Sequence, residues 1–222
     1  MTSPLTPKTL NAGIVLLDPV SFKPFRVVSL QYTPDQLTRS LQVQSVTGDT
    51  GDKTEPLRLK GPPVETFKLE AELDATDQLE FPNQNPNALK YGIFPQLSAL
   101  ESLITPSSDQ IAATDGFLGN GAVEIASMEA PFALFVWSAQ RVAPVRVTEF
   151  SITEEAFDVD LNPIRAKVSL SLRVLSINDM GYAHPGARYF MSYLGKKESL
   201  ARFAFGGDLN QSIDQLGATG LI

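Results

Sequence analysis

Residues 164–174 read Ile164-Arg165-Ala166-Lys167-Val168-Ser169-Leu170-Ser171-Leu172-Arg173-Val174. Every even position is apolar and every odd position is polar. Side chains alternate across a strand with a period of two, so this pattern predicts a strand with one buried face and one wet face. At about 3.3 Å per residue the strand runs roughly 35 Å, which is long for a globular sheet. A strand that stays polar along one whole side points to a sheet lining water, such as the wall of a barrel or tube. Ile164, Val168, Leu170 and Leu172 are the expected core residues. Arg165, Lys167 and Arg173 are expected on the wet face.

The same alternation recurs upstream. Phe67, Leu69, Ala71 and Leu73 interleave with Lys68, Glu70, Glu72 and Asp74, predicting a strand over about 64–74. Further strands are expected at about 12–17, 25–32, 38–46, 122–127, 131–138 and 142–153, with a hairpin connection over 154–163. Leu89, Ile93, Leu97, Leu100, Leu103 and Ile104 recur at three- and four-residue steps and predict a helix over 87–104, with Pro95 kinking it or marking a late start. A second helix fits 186–203. A polar loop of unusual length covers 48–63. The expected class is mainly β (α+β), with a β domain over 1–176 and a C-terminal helical extension and tail over 177–222.

Composition removes several classes of chemistry. The chain has no cysteine, which excludes disulfides, thiolate catalysis and cysteine-ligated zinc. Its one histidine, His184, precedes Pro185-Gly186 and reads as a helix-entry residue; a single chain cannot build a His-rich metal site. The net charge is −7 and the Lys and Arg residues are scattered, with Lys196-Lys197 the only adjacent pair. That argues against a nucleic-acid groove. The apolar runs are too short for a secretory core or a membrane span, so assembly in the cytoplasm is expected.

The remaining polar clusters have ordinary readings. Glu70, Glu72 and Asp74, with Asp77 beyond them, could serve acid/base chemistry, but i, i+2 spacing is what alternation alone produces. Asp158 and Asp160 near Glu154 and Glu155 lack the glycine and terminal glutamate of a calcium loop. Gly116, Gly119 and Gly121 have the dinucleotide-binding glycine spacing reversed, ahead of a strand rather than a helix. Trp137, with Phe132 and Phe135, suits packing or an apolar pocket. No catalytic set emerges, and no metal or cofactor is expected.

Three segments in succession carry a resemblance. They are Leu69-Glu70-Ala71-Glu72-Leu73-Asp74-Ala75-Thr76-Asp77, then Pro131-Phe132-Ala133-Leu134-Phe135-Val136-Trp137, and the hairpin from Val145 to Phe150 through Phe157 and Asn162 to Ala166. Their order and spacing resemble the tube-domain proteins of contractile injection systems, which are phage-tail-like particles. In particular, they are similar to the baseplate adaptor that caps the spike and starts the inner tube. The resemblance covers roughly residues 12–176. It implies a β-barrel-like domain of two packed antiparallel sheets with a flanking helix, six copies closing into a ring, and a structural, non-enzymatic role.

The implied partners are further copies, the spike, the inner-tube protein and other baseplate or sheath subunits, without nucleic acid or membrane insertion. The implied place is within an injection particle assembled in the cytoplasm. Loop 48–63 is expected to reach a neighbouring subunit. Many such adaptors carry a C-terminal LysM module, whereas residues after 176 show a helix with Tyr189 and Tyr193 as exposed docking candidates. The major inner-tube subunit of the same machine, a stand-alone β-barrel carrier with Trp137 in its cup, and a hydrolase using Glu70, Glu72 or Asp74 are the alternatives.

Overall fold

The computed structural model describes residues 12–19, 21–45, 58–112 and 130–203. Its strands are β1 (Gly13–Leu17), β2 (Pro24–Ser29), β3 (Leu37–Gln42), β4 (Val64–Asp74), β5 (Phe132–Ser138), β6 (Arg141–Phe157) and β7 (Pro163–Val174). The helices are α1 (Thr76–Leu79), α2 (Pro86–Tyr91), α3 (Phe94–Glu101), α4 (Ile177–Met180) and α5 (Ala187–Phe203). The expected strand at 122–127, the three glycines at 116–121 and most of loop 48–63 lie outside the described residues.

All seven strands join one antiparallel sheet in the order β2-β1-β5-β6-β7-β4-β3. This corrects the expectation of a β-barrel built from two separate sheets: the ladder is continuous and is not closed. The sheet nonetheless has two halves, because β6 changes partner along its length. Arg141–Val145 pairs with β5, and Val145–Phe157 pairs with β7. In the hydrogen-bonded ladder the halves are joined only through β6, which is bulged near Thr148 and Glu155. Bulges of this kind add local bend and twist.

The halves turn their apolar faces toward each other. Strands β5 and β4 are three ladder steps apart, about 14 Å in a flat sheet. Yet the Phe67 and Phe135 ring centroids are 5.3 Å apart. Ile14, Leu16, Phe67, Phe135, Val168 and Leu172 fill the space between, with α3 adding Leu97 and Leu100. Ile164 is only half-buried, at the start of β7, whereas Val168, Leu170 and Leu172 are buried as expected.

The helix expected over 87–104 is two helices. Gly92 has φ 57 and breaks the run, and Pro95 falls in the first turn of α3, where its missing N–H leaves no bond unmade. The Ile93 N–H donates to the Pro163 carbonyl at 2.8 Å, so this break rests on the start of β7.

Helix α5 packs on the same core. Phe190 and Tyr193 are buried in it, so Tyr193 is not the exposed docking aromatic that its sequence suggested, and Tyr189 is half-buried. The Tyr193 hydroxyl donates to Glu65 at 2.8 Å, and Lys197 Nζ donates to the same carboxylate at 2.5 Å. The Arg39 guanidinium lies 3.6 Å from it. A buried carboxylate is stable in a core only with partners of this kind.

Candidate functional site

One half of the sheet, formed by β7, β4, β3 and the Val145–Phe157 part of β6, has a face with the composition of a surface in contact with water. The register aligns its polar residues in rows. Glu149, Ser171, Lys68 and Thr38 form one row, and Thr153, Lys167 and Glu72 another. Glu70 stands beside Ser169 and Ser151 between them. The rows arise because four antiparallel strands, with the register shifted only at the β6 bulges, each alternate with a period of two.

Charges on this face are matched from strand to strand. Arg165 binds Asp74 through Nη2 at 2.7 Å and Nε at 2.8 Å. Lys167 reaches Glu155 at 3.1 Å, and Lys68 reaches Glu149 at 3.5 Å across β7. Arg173 binds Asp179 in α4 at 2.5 Å. Burial would raise the Asp74 carboxyl, but hydrogen bonds from Thr76 and Arg165 outweigh it and hold the group below the usual carboxylate range. A groove of about 1020 Å³ lies on this face, walled by Tyr32 and Asp35 and floored by Glu70, Glu72, Ser169 and Ser171.

Both lateral borders of this half-sheet are unpaired among the described residues. The direction of the backbone groups follows from one contact. Asp74 directs its N–H and C=O away from β7 toward the side chain of Gln31. Backbone groups alternate in direction along a strand, so Lys68 and Thr66 point the same way and bond to Thr38 and Ser40. Leu37, Arg39 and Leu41 therefore direct their N–H and C=O groups outward. On the opposite border, Leu175 donates to the Pro144 carbonyl, which fixes the alternation of β6. On the two sides of the bulge at Thr148, the groups of Val147 before it and of Phe150, Ile152 and Glu154 after it point away from β7. No described strand lies beside them.

These borders are two-faced like the sheet they end. On β3, Thr38 and Ser40 lie on the wet face while Leu37 and Leu41 lie on the apolar one. On β6, Glu149, Ser151 and Thr153 are wet, while Val147, Phe150 and Ile152 are half-buried against the core. Leu41 is 45 % exposed.

The structure places Glu70, Glu72, Asp74, Arg165, Lys167 and Arg173 together on the wet half-sheet. It separates them from the other sequence candidates. Trp137 is half-buried at the end of β5, its ring 6.0 Å from Phe135. Tyr189 packs against Phe132 under α5. His184 accepts from the Gly186 N–H through Nδ1 and stacks near Phe22 and Phe132. Among the described residues, no group of three or more His, Cys, Asp or Glu side chains converges on a point where a metal could sit. No helix there is long and apolar enough to cross a membrane. Sequence reasoning missed Glu65 and Gln31; Glu65 falls at the start of an alternating strand, where nothing marks it as buried.

No protein-family model matches the chain, and no curated protein matches it in sequence.

Proposed function

We propose that this chain is a structural, non-enzymatic subunit of a contractile injection system: a baseplate adaptor that assembles as a ring, joins the spike to the inner tube and templates the tube. One observation carries the reading. A four-stranded half-sheet has one wet face and one apolar face, and both of its lateral borders are unpaired among the described residues. Free borders are an association liability unless another chain covers them, and ring closure covers them all.

Topology supports the same reading. Strands β6, β7, β4 and β3 alternate in direction. A copy rotated about an axis along the strands brings its β6 antiparallel to β3 of its neighbour. The contact is head-to-tail, so it closes when the rotation closes. Six copies, the number implied by the resemblance, give about 24 strands; at roughly 4.8 Å spacing and a tilt near 40°, the wall is about 50 Å across. The β-barrel then belongs to the ring, each copy supplying one wet sector. The matched charges of that face give a lumen without a single dominant sign. Within the same machine the major inner-tube subunit is the alternative role. The carrier reading is weaker, because Trp137 packs on the core and does not line the large groove.

The test is electron microscopy and light scattering of the purified chain, alone and mixed with spike and tube proteins. Leu41→Pro and Ile152→Pro each remove an outward N–H from a free border. Proline is tolerated on strand edges, so both variants should keep wild-type circular dichroism while ring formation is lost. A wild-type chain that stays monomeric with its partners present, or variants that assemble normally, would sink the proposal.

A further inference from the structure

Strand β3 is the most weakly held part of the wet half-sheet. Thr38 and Ser40 bond to Lys68 and Thr66 on β4, and no described strand lies on the other flank. Of its six residues only Leu37 is half-buried, and the rest are exposed. An edge strand with so little burial has low local stability. Its side chains therefore decide how firmly it lies on β4. Among the described residues, one ion pair leaves β3: Arg39 stands opposite the buried Phe67 and reaches Glu65 at 3.6 Å.

Glu65 is also where α5 is fastened. Its carboxylate is 5 % exposed and has three partners: Arg39 from β3, and the Tyr193 hydroxyl and Lys197 Nζ from α5. Lys197 braces both α5 groups, because its ammonium lies 4.1 Å from the centre of the Tyr193 ring. The end of α5 rests on little else. Gly195 weakens the helix just before its two lysines, and residues 198–203 are exposed. Lys196 Nζ donates to the Ala139 carbonyl at 2.7 Å, and Lys197 Nζ to Glu65. The segment after Gly195 is thus a strap across the two half-sheets, tied to one half at Ala139 and to the other at Glu65.

Strand and strap meet through this one anion. A buried carboxylate that loses a cation must regain one or reach water. β4 cannot carry Glu65 outward, because it is paired with β7 on one side and β3 on the other. β3, paired on one side among the described residues, is the element that yields and lets water in.

We propose that α5 controls the β3 border. With the strap docked, Glu65 is held where Arg39 pins β3 flat; with the strap released, β3 loosens from β4. The consequence for assembly rests on the ring reading, in which a neighbouring copy pairs with β3. Coupling of this kind is reciprocal. A neighbour that holds β3 down also favours the docked strap, so ring closure and the C-terminal helix set each other's position.

The test is hydrogen exchange on the full chain, at a concentration where it is monomeric. The inward amides of Thr38 and Ser40 report the attachment of β3, and those of Val168 and Leu170 report the central strands. Lys197→Met should speed exchange at Thr38 and Ser40 roughly tenfold and leave Val168 and Leu170 unchanged. Lys196→Met, which frees the strap from Ala139 but not from Glu65, should have a much smaller effect. Glu65→Gln in the Lys197→Met chain should restore protection, because a neutral amide still accepts from Tyr193 and needs no cation.

Unchanged exchange at Thr38 and Ser40, a loss shared equally by Val168 and Leu170, or no rescue by Glu65→Gln would each overturn the proposal. Electron microscopy separates it from the ring reading. Wild-type protein that shows the exchange pattern yet forms no ring with its partners would sink the ring and leave the strap standing. Rings that form as well from Lys197→Met as from wild type would overturn the strap's control of assembly.

Discussion

The side chain of Gln31 takes the place of a neighbouring strand beside Asp74. Its Oε1 accepts the Asp74 N–H at 3.0 Å, and its Nε2 donates to the Asp74 carbonyl at 2.5 Å. Gln31 follows β2, one outer strand, while Asp74 ends β4, five ladder steps away. In a flat sheet that separation is about 24 Å. The sheet therefore bends until its two ends almost meet, and one amide ties them where a barrel would have a full ladder.

Gln31→Leu removes both bonds and leaves two backbone groups of Asp74 without their partner. The expected loss is about 1–2 kcal/mol in urea denaturation at unchanged m-value. Phe67→Ala, in the core between the halves, should cost about 3–5 kcal/mol. Wild-type stability of Gln31→Leu would show that the tie is incidental.

Gly92 holds the α2–α3 break against the hairpin. Its φ is 57, and a Cβ there would overlap the Pro163 carbonyl oxygen. Gly92→Ala should destabilise by about 2 kcal/mol or more, and the Ile93 amide, bonded to Pro163, should lose hydrogen-exchange protection. Ser98→Ala, on the exposed side of α3, is the control and should change little.

Acid should weaken the fold through Asp74. Its folded-state pKa is lowered, so its stabilising contribution is complete above the ordinary carboxylate value of 3.8 and is lost as the pH falls toward the lowered one. Asp74→Asn should be less stable than wild type at pH 7, with the gap closing below about pH 4. A gap constant from pH 7 to pH 2.5 in urea titrations would contradict this.

Alkali should act on α5 through Tyr193. Burial first, then the adjacent Glu65 carboxylate, pushes its phenol far above the ordinary value of 10.0. A raised folded-state pKa stabilises fully below that ordinary value and less as the pH rises past it. Wild-type protein should lose stability between pH 9 and pH 11 more steeply than Tyr193→Phe, by thermal melts at each pH. Equal slopes would show that the phenol titrates as freely as in the unfolded chain.

How legible each element was depended on whether its environment is set locally. β4 matches its expected span of 64–74, and β7 runs 163–174 against an expected 164–175, because alternation survives when one face is buried along the whole strand. β6 was expected to end at 153 but runs to Phe157, since Glu154, Glu155 and Ala156 blur the alternation where a bulge adds a residue. The single helix over 87–104 failed at Gly92, whose conformation is fixed by the distant Pro163. The wet-face residues were found from their spacing. Their neighbours Glu149 and Glu155 were not, because pairing across β6 and β7 depends on register.

The amino-acid order alone determined the mainly β character, the two-faced strands, the absence of thiol chemistry and the scarcity of imidazole, all of which follow from side-chain type and a period of two. Only the tertiary structure decided that seven strands make one open sheet folded at β6, and that Tyr193 and Glu65 are buried together. These depend on register and long-range burial, which bring residues such as Gln31 and Asp74 together without any mark in the sequence near either one.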